Sequence, residues 1–278
     1  YLNAENSSLR GRLGFQSLSW GETFGFFIAD LPNPRDWRDP LLLDLAFSKK
    51  SVFMADLQWF GELGTIEAFF TPLARRSDFT PDTDPPVPGQ RSLSRLGRDS
   101  EGGLRASRLW SVGLDSSVFL VSHLDRGLAL NPSRQLSAGA TASQALGSEW
   151  VLRTDQVFRK PTSQLEWQGV VGVDWSPNPS FTLGGQIQHE ERPLVSLWGS
   201  SLRGIWKGLS DRWDLEAFVF SGWQEADLWI QPRITYNHPN GLSVSLRYDY
   251  VDATRLGASF LGTVTDQDRA MLWIGYRL

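Results

Sequence analysis

The chain lacks cysteine altogether and has only two methionines and three histidines in 278 residues. Without cysteine there is no disulfide framework and no thiolate metal site. That absence suits any compartment, the bacterial envelope included. A charge bias is missing too. The 27 basic and 31 acidic residues leave a formal charge of −4, and neither sign gathers into a long run, which speaks against nucleic acid as a partner. Long apolar runs are also missing: a membrane helix needs roughly 20 apolar residues, whereas the longest candidates, LLLDLAF and SVFMADLQWF, each carry an aspartate. Helical membrane crossing is thereby excluded. No basic stretch followed by an apolar one opens the chain, so a signal peptide is expected to be already removed or never present. Tyr1 carries no turn or cap signal, which suggests a start inside a strand and leaves open a lacking N-terminal hairpin. A chain of this length buries one large core or two small ones without staples.

What the sequence has in abundance is tryptophan, 13 in all, a residue whose apolar body and single N–H suit a boundary between dry and wet surroundings. It also has alternation. In LSVSLRYDY (242–250), Leu242, Val244, Leu246, Tyr248 and Tyr250 share one strand face, and Ser243, Ser245, Arg247 and Asp249 share the other. The same rhythm runs through QLEWQGVVGVDW, EWVLRTDQVF, FTLGGQIQ, SLRGIWK, WDLEAFVF, LWIQPRITY and AMLWIGYRL. It is less clean in LRGRLGFQSLSW, VFMADLQWF, TIEAFFTP, LRASRLWSV, SSVFLVSHL and QLSAGATASQA. These segments number about 14 and run near ten residues, the length of a tilted membrane strand rather than the ~5 to 6 of soluble sheets.

The connections alternate in length. Short turns fall at 61–64, 113–115, 146–148, 177–179, 209–212 and 238–241; long links fall at 21–51, 74–103, 125–134 and 252–268. Outer-membrane barrels show this asymmetry, with short periplasmic turns and long external loops. Beside the short turns, on the apolar face, stand Trp150, Trp175, Phe181, Trp206, Trp213, Tyr236 and Tyr276. A soluble core scatters its aromatics along the strands; a ring at one level predicts a girdle at a membrane interface. The expected fold is therefore all-β, a transmembrane antiparallel up-and-down β-barrel of about 14–16 strands forming one domain over 1–278.

Residues 12–40, RLGFQSLSWGETFGFFIADLPNPRDWRDP, resemble the strand-and-loop signature of proteobacterial outer-membrane barrels of the alginate-export-like and uncharacterised porin-like group. The matching positions are Gly14, Gln16, Trp20, Gly21, Asn33, Pro34 and Asp36; Phe15 stands where that group usually has arginine, so a lumen charge is missing there. SVFLVSHLDR (117–126) resembles a strand end and loop start of the same group. The resemblance implies a barrel of about 14 to 18 strands that passes a solute. The terminal WIGYRL, with Ile274, Tyr276 and Leu278, looks like the closing strand read by the outer-membrane barrel assembly machinery.

Water inside such a barrel suits polar side chains. The predicted lining comprises Arg153, Asp155, Glu166, Gln168, Asp174, Gln186, Gln188, Arg203, Lys207, Asp214, Glu216, Gln231, Arg233, Arg247, Asp249 and Arg269, with Arg277 beyond. Both signs interleave, which favours a hydrogen-bonded wall; neutralisation between neighbouring strands explains any single charge equally well. In DLPNPRDWRDP (30–40) three prolines prevent a regular ladder, and Asn33, Arg35, Asp36 and Arg38 are candidates for an inward constriction, with an exposed external loop as the even alternative. The three aspartates Asp78, Asp82 and Asp84 lack the turn glycine of a calcium loop. His123 follows Ser122, and adjacent strand residues point to opposite faces, so the two cannot form a base–nucleophile pair. His189 with Glu191 is a weak metal candidate, and no hydrolase or phosphate-loop motif appears. The expectation is a non-enzymatic outer-membrane pore without cofactor or metal, embedded in outer-membrane lipid and passing a small polar solute. The alternatives are a loop-plugged structural or assembly barrel and a soluble β-sandwich that binds carbohydrate.

Overall fold

In the computed structural model the described residues are 1–24, 27–36, 49–75, 77, 93, 95–125, 132–160, 165–192, 195–208, 212–224, 227–253 and 268–276. They form fifteen strands: β1 (Leu2–Glu5), β2 (Leu9–Gln16), β3 (Val52–Gly61), β4 (Gly64–Thr71), β5 (Glu101–Leu109), β6 (Leu114–Leu124), β7 (Arg134–Leu146), β8 (Trp150–Lys160), β9 (Glu166–Asn178), β10 (Phe181–Arg192), β11 (Val195–Gly208), β12 (Trp213–Gly222), β13 (Asp227–Asn237), β14 (Leu242–Asp252) and β15 (Arg269–Tyr276). Sequence order is also sheet order, each strand bonding to the next, as an up-and-down meander requires. No described helix is long and apolar enough to cross a membrane.

The chain divides into two compact units. Unit 1 comprises Tyr1–Ser143, Thr154–Gly169 and Glu191–Val195; unit 2 comprises Gln144–Arg153, Val170–Glu190 and Ser196–Leu278. Tight turns hold hairpins in each. In unit 1, β3 and β4 pair down to Gly61 opposite Gly64, and Gly64 has φ +132° with no room for a Cβ against the Ser107 carbonyl. Glycine is the residue that adopts this backbone without strain.

In unit 2 the strand faces carry the reverse of a soluble sheet. Along β14, Leu246, Tyr248 and Tyr250 are 49, 42 and 38% exposed, while Arg247 and Asp249 between them are 4 and 0% exposed. Water-soluble proteins bury the apolar side chain and solvate the charged one. An exposed leucine–tyrosine face over a buried arginine–aspartate face is stable where the outer medium is itself apolar and the strand backbone is paired on both sides.

Unit 1 exposes the same kind of face, with Phe53, Leu57, Trp59, Val118 and Leu120 outward, but its other face is mixed. Val52, Met54, Phe69, Phe119, Val121 and Val157 form a small buried cluster with Leu18, Trp20 and Ala29 from the segment that follows β2. Strands apolar on both faces lose their period-two signature. That is why VFMADLQWF and SSVFLVSHL alternate poorly while LSVSLRYDY alternates cleanly.

Leu246 sits mid-strand on the exposed face, where an arginine in hydrocarbon costs roughly 2 to 4 kcal/mol. Leu246→Arg is expected to lower the yield and the urea midpoint of folding into phospholipid vesicles, whereas Leu246→Val leaves both near wild type; gel shift and tryptophan fluorescence read the two.

Candidate pore wall and constriction segment

The described residues 17–24 and 27–36, after β2, turn onto the buried face of unit 1. Their prolines withhold donors from a ladder, so side chains must satisfy their backbone. Asp30 does much of this: its carboxylate accepts from the amides of Trp20 at 2.7 Å and Gly21 at 3.1 Å and from the Ser19 hydroxyl. Lys49 Nζ lies 2.8 Å from the other Asp30 oxygen and also donates to the Leu18 carbonyl. Burial lowers the Lys49 ammonium below its ordinary pKa, with Asp30 opposing that shift. Asn33 accepts from the Leu18 amide at 2.7 Å and donates to the Lys50 carbonyl. Arg35 donates to the Phe27 carbonyl at 2.7 Å with its guanidinium over the Phe27 ring, and burial pushes its pKa down to about 10.

Two carboxylates of the strand wall hold this segment. Asp155 on β8 is fully buried and accepts from the Glu22 amide at 3.0 Å, the Thr23 amide at 3.2 Å and the Thr23 hydroxyl at 2.6 Å. Glu67 on β4 accepts from the Trp20 indole at 2.8 Å and from the Gln58 amide at 2.7 Å. Beside Glu67, Arg12 binds Asp56 Oδ2 through two nitrogens at 2.8 and 2.6 Å. Trp20 itself is 1% exposed and packs on Phe69 and Phe119 with ring centroids 5.5 Å away.

The motif positions thereby acquire a physical role. A Cβ on Gly21 would meet Asp155 Oδ2 at 3.0 Å, and Gln16 donates to the Met54 carbonyl at 3.0 Å. Asn33 and Arg35 of the constriction set lie in this packed segment, and Asp36 is half-buried beside them. Arg38 lies outside the described residues, as do Gln164, Arg277, Leu278 and the three aspartates Asp78, Asp82 and Asp84. Phe15 corrects one expectation: it is 69% exposed on the outward face and meets Phe53 edge-on at 5.7 Å, so no lumen charge is lost there.

Unit 2 carries a second polar wall. Glu216 accepts from Arg203 Nε at 2.6 Å and from Arg233, its direct cross-strand partner. Arg153 donates to Asp174 at 2.7 Å, and Asn237 donates to Asp214, which faces Lys207 in register. Asp249 collects Trp229, Gln231, Arg247 and Arg269. Water was expected along all of these positions, but the structure divides them: Arg203 and Arg233 side chains are 36 and 38% accessible, whereas Asp155, Gln186, Gln231, Arg247 and Asp249 are buried. Glu166, Gln168 and Gln188 are half-buried.

On the opposite face, Trp150, Trp206 and Tyr276 are exposed and Trp175, Phe181, Trp213 and Tyr236 half-exposed, with Trp150 stacked on Trp175 and Trp213 against Tyr236. Sequence reasoning missed a second aromatic level: Trp198 and Trp223 stack at 5.9 Å and 11°, with the His189 ring 4.2 Å from Trp198. Trp213 and Trp223 bracket β12 ten positions apart. At ~3.3 Å per residue and a tilt of ~40°, that spans roughly 25 Å along a membrane normal, the height of the apolar band of an outer-membrane barrel. His123, buried, faces Ser137 at 2.8 Å, while Ser122 on the other face takes a bond from Arg134.

No family model matches the chain, and no curated protein matches it. Among solved structures it is similar to OccAB2 of Acinetobacter baumannii, with a TM-score of 0.56 at 10% identity over 98% of this chain and 76% of that one. A KdgM porin in complex with disordered oligogalacturonate also matches, over 55% of this chain and 85% of that one, at 8% identity and a TM-score of 0.33. Likeness to OccAB2 assigns the fold class, an antiparallel up-and-down β-barrel with its apolar strand face outward.

Asp155→Asn keeps the shape of the latch but removes the charge that strengthens three hydrogen bonds. The variant is expected to fold as wild type yet expose the 17–36 segment to limited proteolysis several-fold faster; cleavage at the wild-type rate would show that the latch is not needed.

Proposed function

We propose that the protein is an outer-membrane pore through which a small polar solute passes, with the 17–36 segment as its constriction. One observation carries this reading. Charged side chains on the face turned away from the apolar medium, Arg203 and Arg233 with Glu216 between them, remain more than a third and about a sixth accessible respectively. Hydrocarbon does not reach that face, so water does, and a water-filled path along a polar wall conducts. The kinship with the alginate-export-like group, embedding in outer-membrane lipid, recognition by the barrel assembly machinery and a single domain over 1–278 belong to the same reading. So does a non-enzymatic role. A polar solute is proposed for this chain on its own wall chemistry.

A second reading has its own support. The apolar contact of Leu18, Trp20 and Ala29 with the unit 1 wall is the packing of a plug, and a plugged structural barrel would share it.

Conduction decides between them. Purified protein reconstituted in planar bilayers is expected to give discrete current steps, and unboiled samples should migrate differently from boiled ones on gels. Heat-modifiable protein that inserts without conducting would leave the plugged barrel.

A further inference from the structure

A pocket of about 330 Å³ lies across β5 to β8 on the outward face of unit 1. Strand parity places it there. Ala106 and Arg108 share a face with exposed Leu104, Ala140 with exposed Leu136, and Gln156 with exposed Phe158, while Val118 is itself 59% exposed. Ser117, Thr141 and Asp155, of the opposite parity, are buried on the other face. The hollow has a cause in the sequence. Leucine, valine and tryptophan stand outward around it, but β7 turns Ala140 and Ala142 to that side and β5 places Ala106 opposite Val118. A hollow left empty at an apolar surface forfeits the dispersion contacts of its lining, so a hydrocarbon chain gains by filling it.

Four outward polar side chains border the groove, and three are already matched. Ser116 accepts from the Trp110 indole at 2.9 Å, and Gln156 accepts from the Trp167 indole at 2.9 Å and donates to Thr154 at 3.1 Å. Arg108 is the fourth. Its guanidinium lies 4.2 Å over the Trp110 ring and makes no ion pair or hydrogen bond with any described residue, whereas Arg12, Arg153 and Arg203 on the inner face each hold a carboxylate. Arg108 stands opposite Ser116, beside the tight turn that Trp110 and Leu114 close. An arginine laid on an aromatic ring at a strand end keeps its stem in hydrocarbon and its charge among the headgroups.

An apolar trough with one uncommitted cation at its end fits an amphiphile with one negative charge on its head. The guanidinium fork matches two oxygens of a phosphate. A second copy of the chain fits less well, because the outward positions of β5 to β8 include no aspartate or glutamate to bring to Arg108.

We infer that this groove binds an anionic glycerophospholipid, with one acyl chain along Ala106, Ala140 and Ala142 and the phosphate on Arg108. It rests on the outer-membrane reading only for the leaflet, the periplasmic one marked by the short turns, and binding is measured apart from conduction. Phosphatidylglycerol and phosphatidylethanolamine of the same chains differ in that the ammonium of the second neutralises its phosphate. Native mass spectrometry of the detergent-solubilised protein is expected to show saturable phosphatidylglycerol adducts and phosphatidylethanolamine binding about fivefold weaker, the worth of one basic residue at an anionic headgroup. Arg108→Gln should bring phosphatidylglycerol down to the level of phosphatidylethanolamine. Ala140→Leu, which fills the groove, should weaken both lipids at least about threefold, the loss of one or two buried methylenes, and it carries the test by itself if Arg108→Gln fails to fold. Equal binding of the two lipids, adducts undiminished in either variant, no adducts at all, or a dimer that Ala140→Leu dissociates would each overturn the inference. Conduction by protein without the lipid preference would do so while leaving the pore intact; the preference in protein that inserts but does not conduct would overturn the pore and leave the lipid site.

Discussion

Everything in this protein follows from strands whose two faces meet different media while their backbones must be paired within the sheet. In hydrocarbon an unpaired N–H or C=O costs several kcal/mol, so strand order follows chain order and each strand finds its partner one turn away. Once the backbone is settled in this way, side-chain choice is free to follow the medium. Leu246, Tyr248 and Tyr250 go to one side and Arg247 and Asp249 to the other, and aromatics of unit 2 gather at two levels along its strands.

The segment after β2 obeys the same accounting by other means. Among its described residues the backbone pairs in an isolated bridge of Arg35 with Lys49, and other amides are received by carboxylates: Asp30 from within the segment, Asp155 from β8, with Glu67 of β4 taking the Trp20 indole. A charged acceptor makes shorter and stronger bonds than a neutral one, and inside a low-dielectric space the gain is larger still. Three such acceptors at separate places on the segment fix its path as a small core would, and the cluster of Leu18, Trp20 and Ala29 with Phe69 and Phe119 adds the core.

How much of this the sequence discloses depends on how many surfaces each strand faces. The unit 2 strands touch an apolar medium on one side and a polar wall on the other, and their faces and turns can be read off LSVSLRYDY and its relatives. The strands of unit 1 carry a second apolar contact, which masks the alternation, and Asp155 looks like any lining aspartate because its partners lie more than 130 positions away. The hub Asp30 had a local signal. An aspartate and an asparagine flanking proline in a loop are the residues that accept backbone N–H groups, and DLPNP has both. The second aromatic level escaped because Trp198 and Trp223 lie at the end of β11 and β12 away from the short turn at 209–212, the level at which the first ring was read.

The walls also separate charges sealed inside the structure from charges that solvent reaches. Asp249 is fully buried and both its oxygens are used, Oδ1 by Trp229 and Gln231 and Oδ2 by Arg247 and Arg269. Arg247 lies under the Trp273 ring and directly across from Arg233, a like-charge pairing that costs energy unless each partner has its own carboxylate. Each has one: Arg233 turns to Glu216 and Arg247 to Asp249. Removing Asp249 would leave Arg247 buried with its counter-charge gone, which is far more destabilising than losing a solvated pair. Removing Glu216 would take one carboxylate from two guanidiniums that water already reaches. The same pairing of residue types along the strand rows is therefore sealed from water at Asp249 and open to it at Glu216, and accessibility rather than composition draws the line between them.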